Sequence, residues 1–257
     1  MRNCLDLTGR VVVVIGATSG IGREIAMGLA AHGADVVPTG RRQAAVEEAC
    51  CAIQALGRQT LACPADVRER QSIDDLRKAV LDRFGCVDNL VNAAGYTFMQ
   101  DTATVCDDQW TSLLDTNLSG ALRACQSFYE PLKASGRGRI VNIASLGSFL
   151  AFHRVAAYCA AKSALLSLTR SLACEWARDG ISVNAIAPGI FPTELNSQMV
   201  NDTPRGQELL ARTPMGRFGK PEELVGAAVL LSSDAASFLT GQCIAVDGGY
   251  LASGVNL

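Results

Sequence analysis

No basic block, no Cys-x-x-Cys pair, no long apolar run and no low-complexity tract occurs in this chain of 257 residues. Each absence removes a class of function. Without clustered basic residues, and with a formal net charge of −2 and a sequence pI near 5.7, nothing in the charge pattern asks for DNA or RNA. The ten cysteines lack the spacing of common zinc and dithiol sites. Most sit singly in apolar periodic segments, as at Cys63, Cys125, Cys159 and Cys174, and read as buried, reduced thiols of a cytosolic protein. The apolar runs are too short to span a bilayer, and Met1-Arg2-Asn3-Cys4-Leu5-Asp6 has no signal-peptide core. The expectation is a soluble cytoplasmic protein with no metal and no membrane or nucleic-acid partner.

What is present is an alternation. Val11-Val12-Val13-Val14-Ile15 is a continuous β-branched run, as in a strand buried on both faces of a parallel sheet. The turn Gly16-Ala17-Thr18-Ser19-Gly20-Ile21-Gly22 follows, then a helical stretch over residues 23 to 32. Strand, glycine turn and helix together suit a diphosphate, because glycines admit close backbone approach and the helix end offers free N–H groups. A tight structural turn would carry the same pattern. A second strand (residues 35 to 39) ends at Gly40-Arg41-Arg42, with no acidic residue where a ribose 2′-hydroxyl would be read. Arginine there accommodates a 2′-phosphate, so NADP(H) is favoured over NAD(H); two surface arginines opening a helix are the alternative.

Further strands are predicted at residues 59 to 63, 88 to 92, 139 to 144, 181 to 187 and 244 to 246, with helices between them. Parallel strands deliver Asp66, the Asn92-Ala93-Ala94-Gly95 turn, Ser145 and Pro188-Gly189 to one edge of the sheet, where ligands bind in such folds. Asp66 could equally be a helix cap. Asn117 interrupts the long helical stretch 107 to 134, and a mid-helix asparagine wants a reason. In the helix over residues 156 to 177, Tyr158 and Lys162 are four residues apart, hence on one face. A cation near a phenol favours phenolate and makes tyrosine usable for proton transfer; alone, the spacing could also decorate a solvated face. Residues 190 to 213 have mixed composition and weak periodicity, which suits a substrate lid.

In this order, Gly16-x-x-x-Gly20-x-Gly22, Asp66, Asn92-Ala93-Ala94-Gly95, Asn117, Ser145, Tyr158-x-x-x-Lys162 and Pro188-Gly189 resemble the short-chain dehydrogenases/reductases over nearly the whole chain. The count of seven strands alternating with helices in one domain, together with the resemblance, implies an α/β single-domain Rossmann fold, a seven-stranded parallel sheet with helices on both faces. The resemblance also implies an NAD(P)-dependent oxidoreductase and a homotetramer. Tyr158 would be the general acid/base, Lys162 would lower the tyrosine pKa and bind the nicotinamide ribose, Ser145 would bind the substrate oxygen, and Asn117 would hold a relay water. The cofactor would lie against Gly16, Thr18, Ser19, Gly20, Ile21, Gly22, Arg41, Arg42, Asp66, Val67, Asn92, Ala93, Gly95, Tyr158, Lys162, Pro188, Gly189, Phe191 and Thr193. Two positions depart from the family pattern, Ile15 for a threonine and Ala93 for a second asparagine.

Within the family, Arg212-Thr213-Pro214, Gly219-Lys220-Pro221-Glu222-Glu223-Leu224, Val246-Asp247-Gly248-Gly249 and Ala173-Cys174-Glu175-Trp176-Ala177 look most like gluconate 5-dehydrogenases and related sugar-acid or polyol enzymes. The 3-oxoacyl-[acyl-carrier-protein] reductases share the motifs; Arg137 and Arg139 would be available to meet an acidic carrier. A non-catalytic dinucleotide-binding protein would be expected to have lost the tyrosine or the lysine. Leu146, Phe149, His153, Tyr96 and Phe191 are candidates for the pocket wall. Leu165, Leu168, Leu172 and Trp176 give the Tyr158 helix apolar surface for either a core or an interface.

Overall fold

Successive residues of a strand face opposite ways, and β1 (Val11–Ile15) divides its side chains between two cores. Val12 and Val14 pack with Ile25 and Leu29 of helix α1 (Gly20–Ala31) in one cluster. Val11, Val13 and Ile15 pack with Leu76, Phe128 and Trp176 in the other. The computed structural model describes residues 3–193, 200 and 203–254. Beyond α1 the chain runs through β2 (Asp35–Thr39), α2 (Gln43–Ala55), α3 (Arg70–Phe84), β3 (Asn89–Asn92), α4 (Asp107–Leu114) and α5 (Gly120–Ala134). Then come β4 (Arg139–Ile143), α6 (Ala156–Trp176), β5 (Ser182–Pro188), α7 (Pro204–Ala211), α8 (Val225–Ser232) and β6 (Cys243–Val246). The strands form one parallel sheet in the order β2-β1-β3-β4-β5-β6. Strand order reverses between β1 and β3, which opens a crevice at their carboxyl ends.

The sheet has six strands rather than the seven expected, and the reason is Pro38. The predicted strand at residues 59 to 63 runs beside β2: Val36 N–H donates to Gln59 O at 3.1 Å, and Thr39 Oγ1 donates to Cys63 O at 2.6 Å. In a parallel pair the next outward donor comes two residues along, at position 38, where proline has no N–H. The ladder is left with a gap at Pro38, between the Val36 bond and the next backbone bond, Ala65 N–H to Gly40 O at 3.0 Å, and β2 is the edge of the sheet.

The long helix expected around Asn117 is also not regular. α4 and α5 are joined by one wide turn, Asp115–Ser119, of π type. Such a bulge rotates one residue out of the helical register and is often found at functional sites. Here it carries Asn117, 1 % exposed, into the protein. The apolar face of α6 is core: Leu165, Leu172 and Trp176 are buried, and Leu168 packs against the same cluster as Leu172 and Trp176. All ten cysteines are free thiols, but only Cys50 and Cys125 are buried; Cys174, expected inside, is exposed.

Candidate active site

The crevice begins where β1 turns into α1. Gly16 has φ +86°, and a Cβ added to it would lie 2.5 Å from the Ala94 amide nitrogen. Only glycine lets this turn close on the turn that follows β3. Helix α1 starts after Ser19, whose side chain makes no capping bond, and its first turn has no acidic residue. Its terminal N–H groups and positive dipole end thus face the crevice ready for an anion. Gly40 lies against the Thr18 side chain, and the exposed Arg41 and Arg42 follow it. Asp66 is held below the usual carboxylate range, first by the Arg68 side chain, whose Nη2 lies 2.6 Å from its Oδ2; burial opposes this.

At the closed end four side chains come together from three elements. The π turn delivers Asn117, whose Nδ2 donates to Tyr96 O at 3.1 Å and Leu113 O at 3.0 Å, while its Oδ1 is buried without a partner. A Cβ on Gly95 would lie 2.5 Å from that oxygen, so a small residue is required there. Ser145 ends the β4 loop; its Oγ accepts from Gly147 N–H at 3.1 Å, which orients the hydroxyl with its proton on the side of Tyr158. From α6, Lys162 donates to Ile143 O at 2.7 Å and lies over the Tyr158 ring, 5.7 Å from its centroid. Burial pushes Tyr158 above its ordinary value, with the Ser145 hydroxyl opposing. Burial alone lowers Lys162 to about 8. Burial is the largest influence on the phenol, and it acts against the lowering by Lys162 that the spacing led to expect.

A single cleft of about 690 Å³ joins the two ends. Gly16, Thr18, Ser19, Gly20, Ile21, Gly22, Arg41, Arg42, Asp66, Val67, Ala93, Gly95, Asn117, Ser145, Tyr158, Lys162, Pro188, Gly189, Phe191 and Thr193 all line it. The glycine cradle, the uncapped α1 end and the unpaired Asn117 oxygen fit an extended dinucleotide with its diphosphate at α1.

Residues 16–251 match the family described as enoyl-(acyl carrier protein) reductase. The chain belongs to the short-chain dehydrogenases/reductases. Gluconate 5-dehydrogenase of Gluconobacter oxydans is 38% identical to it over 96% of this chain and 97% of that protein. D-threitol dehydrogenase of Mycolicibacterium smegmatis is 38% identical over 95% of this chain and 94% of its own length. The crystal structure of a gluconate 5-dehydrogenase from Burkholderia cenocepacia, in complex with NADP and tartrate, superposes with a TM-score of 0.94 at 35% identity, covering 98% of each chain. This short-chain dehydrogenase/reductase is thus an NAD(P)-dependent oxidoreductase acting on CH–OH groups.

Some expected placements change. Asn92 does not line the cleft: it is the last residue of β3, its side chain turns toward α5 and β4, and its Nδ2 donates to Asn142 Oδ1 at 2.8 Å. Asn142 in turn donates to Thr169 Oγ1 at 2.9 Å, so this asparagine ties β3 to β4 and α6. Leu146, Tyr96 and Phe191 line the cleft, whereas Phe149 and His153 are exposed outside it. Arg139 opens β4 and Arg137 pairs with Asp88, both at the amino end of the sheet and away from the mouth. Arg68, Met99, Ser112, Thr116, Phe152 and Arg205 line the cleft without having been expected. They come from loops and helix faces brought together only by the fold; the sole sequence signal was the lid-like composition around Arg205. The part of the predicted lid at 194–199 and 201–202 lies outside the described residues. No helix among the described residues is long and apolar enough to cross a membrane.

Proposed function

We propose that this dehydrogenase interconverts a secondary alcohol and a ketone on a sugar acid or polyol, with Tyr158 as the proton-transfer group. The observation that carries the reading is the quartet of half-buried Ser145 and Tyr158 with buried Asn117 and Lys162, at the closed end of a dinucleotide crevice. Bound NAD(P) supplies the hydride donor or acceptor. The chain's own residues do the rest. Ser145 Oγ and Tyr158 Oη donate hydrogen bonds to the reacting oxygen, where negative charge is stabilised most when water is excluded. Tyr158 gives up its proton in ketone reduction and recovers one in alcohol oxidation; its raised value keeps it a donor at neutral pH. Lys162, still largely protonated below about pH 8, stabilises the phenolate as it forms and is placed to hold the nicotinamide ribose. The orphan Asn117 Oδ1 fits a relay water near Lys162.

Preference for NADP(H) is part of this reading. No acidic side chain follows β2, and Arg41 and Arg42 form no ion pair among the described residues, so both are available to a 2′-phosphate. Residues of about 190–213 act as the substrate lid, and a cytoplasmic homotetramer completes the proposal. The α6 leucines, buried in this chain's own core, do not argue for the tetramer; the exposed Trp110 and Phe238 are apolar surface that a second copy would cover.

The test is NADPH consumption with 5-ketogluconate and, separately, with an acetoacetyl thioester, each repeated with NADH. Turnover of the keto-acid with an NADPH preference supports the reading, and thioester reduction alone replaces it with acyl-chain chemistry. The amino-end position of Arg137 and Arg139 already weighs against an acidic carrier. Tyr158→Phe should lose turnover while keeping NADPH affinity; a non-catalytic binding protein would have no turnover to lose.

A further inference from the structure

Resting on the sugar-acid reading above, we propose that Arg205 binds the carboxylate of the substrate, so that the cleft selects an acid over a neutral polyol. Five basic side chains line the cleft. Arg41, Arg42 and Arg68 are at the β2 and Asp66 end, and Lys162 is at the closed end beside Tyr158. Arg205 remains, on α7 at the wall that also carries Phe152, Val200 and Leu209. It is half-buried, and its one hydrogen bond among the described residues sends Nη1 to His153 O at 3.2 Å. No carboxylate among the described residues is within ion-pair distance of it.

Its neighbours are occupied differently. Arg154 pairs with Asp101 at 3.0 Å, Arg217 with Glu223 at 2.6 Å, and Arg212 stacks over Tyr250 at 5.2 Å. Arg205 alone of these four faces the cleft, and among the described residues the greater part of its fork has no partner. It also sits in the first turn of α7, where the helix dipole disfavours a cation and favours an anion. A planar fork of donors beside apolar walls suits a bidentate carboxylate, because low local polarity strengthens the pair. The stretches 194–199 and 201–202 contain no lysine or arginine, so no rival cation comes from them. A neutral polyol would leave these donors unmatched.

Gluconate and glucitol have the same carbon chain and differ at C1 by a carboxylate. The experiment measures kcat/KM for each, with NADP, in the wild type, Arg205→Gln and Arg205→Lys, with melting temperature as the folding control. The expected result is a wild-type preference for gluconate that falls about ten- to a hundredfold in Arg205→Gln, the size of a lost charged hydrogen bond. The loss should appear mainly in KM for gluconate. Arg205→Lys, which keeps the charge without the fork, should give an intermediate ratio, and it stands alone as the test if the glutamine variant does not fold. A wild type that oxidises gluconate but whose variants leave the ratio unmoved, or slow both substrates equally, overturns the proposal and makes Arg205 a latch to His153. A wild type that turns over neither substrate overturns the sugar reading itself and this proposal with it.

Discussion

Two charged side chains are buried at opposite ends of the sheet and are held in opposite ways. Asp88, before β3, is 3 % exposed and accepts from Val11 N–H at 2.9 Å, Ser135 Oγ at 2.6 Å and Arg137 Nε at 2.9 Å. Burial alone would raise its pKa, but Ser135, Arg137 and Val11 together outweigh burial and hold it below the usual range. Lys162, beyond the carboxyl end of β4, is 5 % exposed and donates to the Ile143 carbonyl only. No carboxylate among the described residues offsets its burial, and its pKa falls to about 8. The amino end uses charge to join strands and turns. The carboxyl end keeps a charge that the fold does not satisfy, next to the unpaired oxygen of Asn117. Side chains held against their own stability mark the place where a ligand completes the structure.

The sharpest way to break this contrast is to remove each charge. Lys162→Met should lower turnover by about 10²–10⁴, the range of lost acid/base assistance, while the melting temperature stays at or above that of the wild type. A fold that needed Lys162 as it needs Asp88 would instead melt earlier. Asp88→Asn is the counterpart: its amide has one acceptor oxygen, so its NH₂ must face a donor at either Val11 N–H or Arg137 Nε, and the change should cost about 2–3 kcal/mol by chemical denaturation, with kcat unchanged. Loss of kcat in a folded Asp88→Asn protein would show that the two ends are coupled.

A smaller and more gradual difference should appear with pH. The folded value of Asp88 lies below its unfolded ~3.9, so its contribution is whole above about pH 4 and is lost as pH falls through the folded value. For Lys162 the folded value of about 8 lies below the ordinary 10.5, so the unfolded chain binds that proton more tightly. The penalty is full below about pH 8 and is relieved as pH rises toward the unfolded value. Relative to Lys162→Met, the wild type should therefore gain stability between about pH 8 and 10, on the order of 3 kcal/mol at most. Parallel stability curves for the two proteins over that window would remove Lys162 from the ledger of buried charge.

Much of this was legible in the chain because it is local. The run Val11 to Ile15 with the glycines after it, and Tyr158 with Lys162 one helical turn apart, are set by short-range periodicity, and they stand in the structure as read. What needed the fold was long-range. Asn92 sits in a cofactor-like motif, yet strand alternation turns its side chain away from the cleft and onto Asn142. Arg205 and Phe152 reach the cleft from segments about fifty residues apart, a meeting that no spacing rule encodes. The π turn at Asn117 was visible only as an ill-placed asparagine. The expected lowering of the tyrosine pKa by Lys162 was drawn from pair spacing and from the family resemblance, neither of which reports burial, and burial acts on the phenol in the opposite direction.

The miscounted strand belongs with these cases and gives the smallest test. Residues 59 to 63 have the composition of a strand, but their neighbour β2 presents Pro38 where a donor is due. Pro38→Val would supply that N–H on the outward side of β2, and it should let the segment add a rung between the bonds that flank the gap, Val36 N–H to Gln59 O and Ala65 N–H to Gly40 O. The new hydrogen bond and the loss of proline's restraint on the unfolded chain are each about 1 kcal/mol and opposite in sign, so net stability should move by less than about 1 kcal/mol. The decisive readout is hydrogen exchange at position 38. A protected amide means the edge was a strand lacking one donor; exchange as fast as in an open loop means that the segment follows β2 for other reasons, and that the six-stranded sheet is limited by more than a single proline.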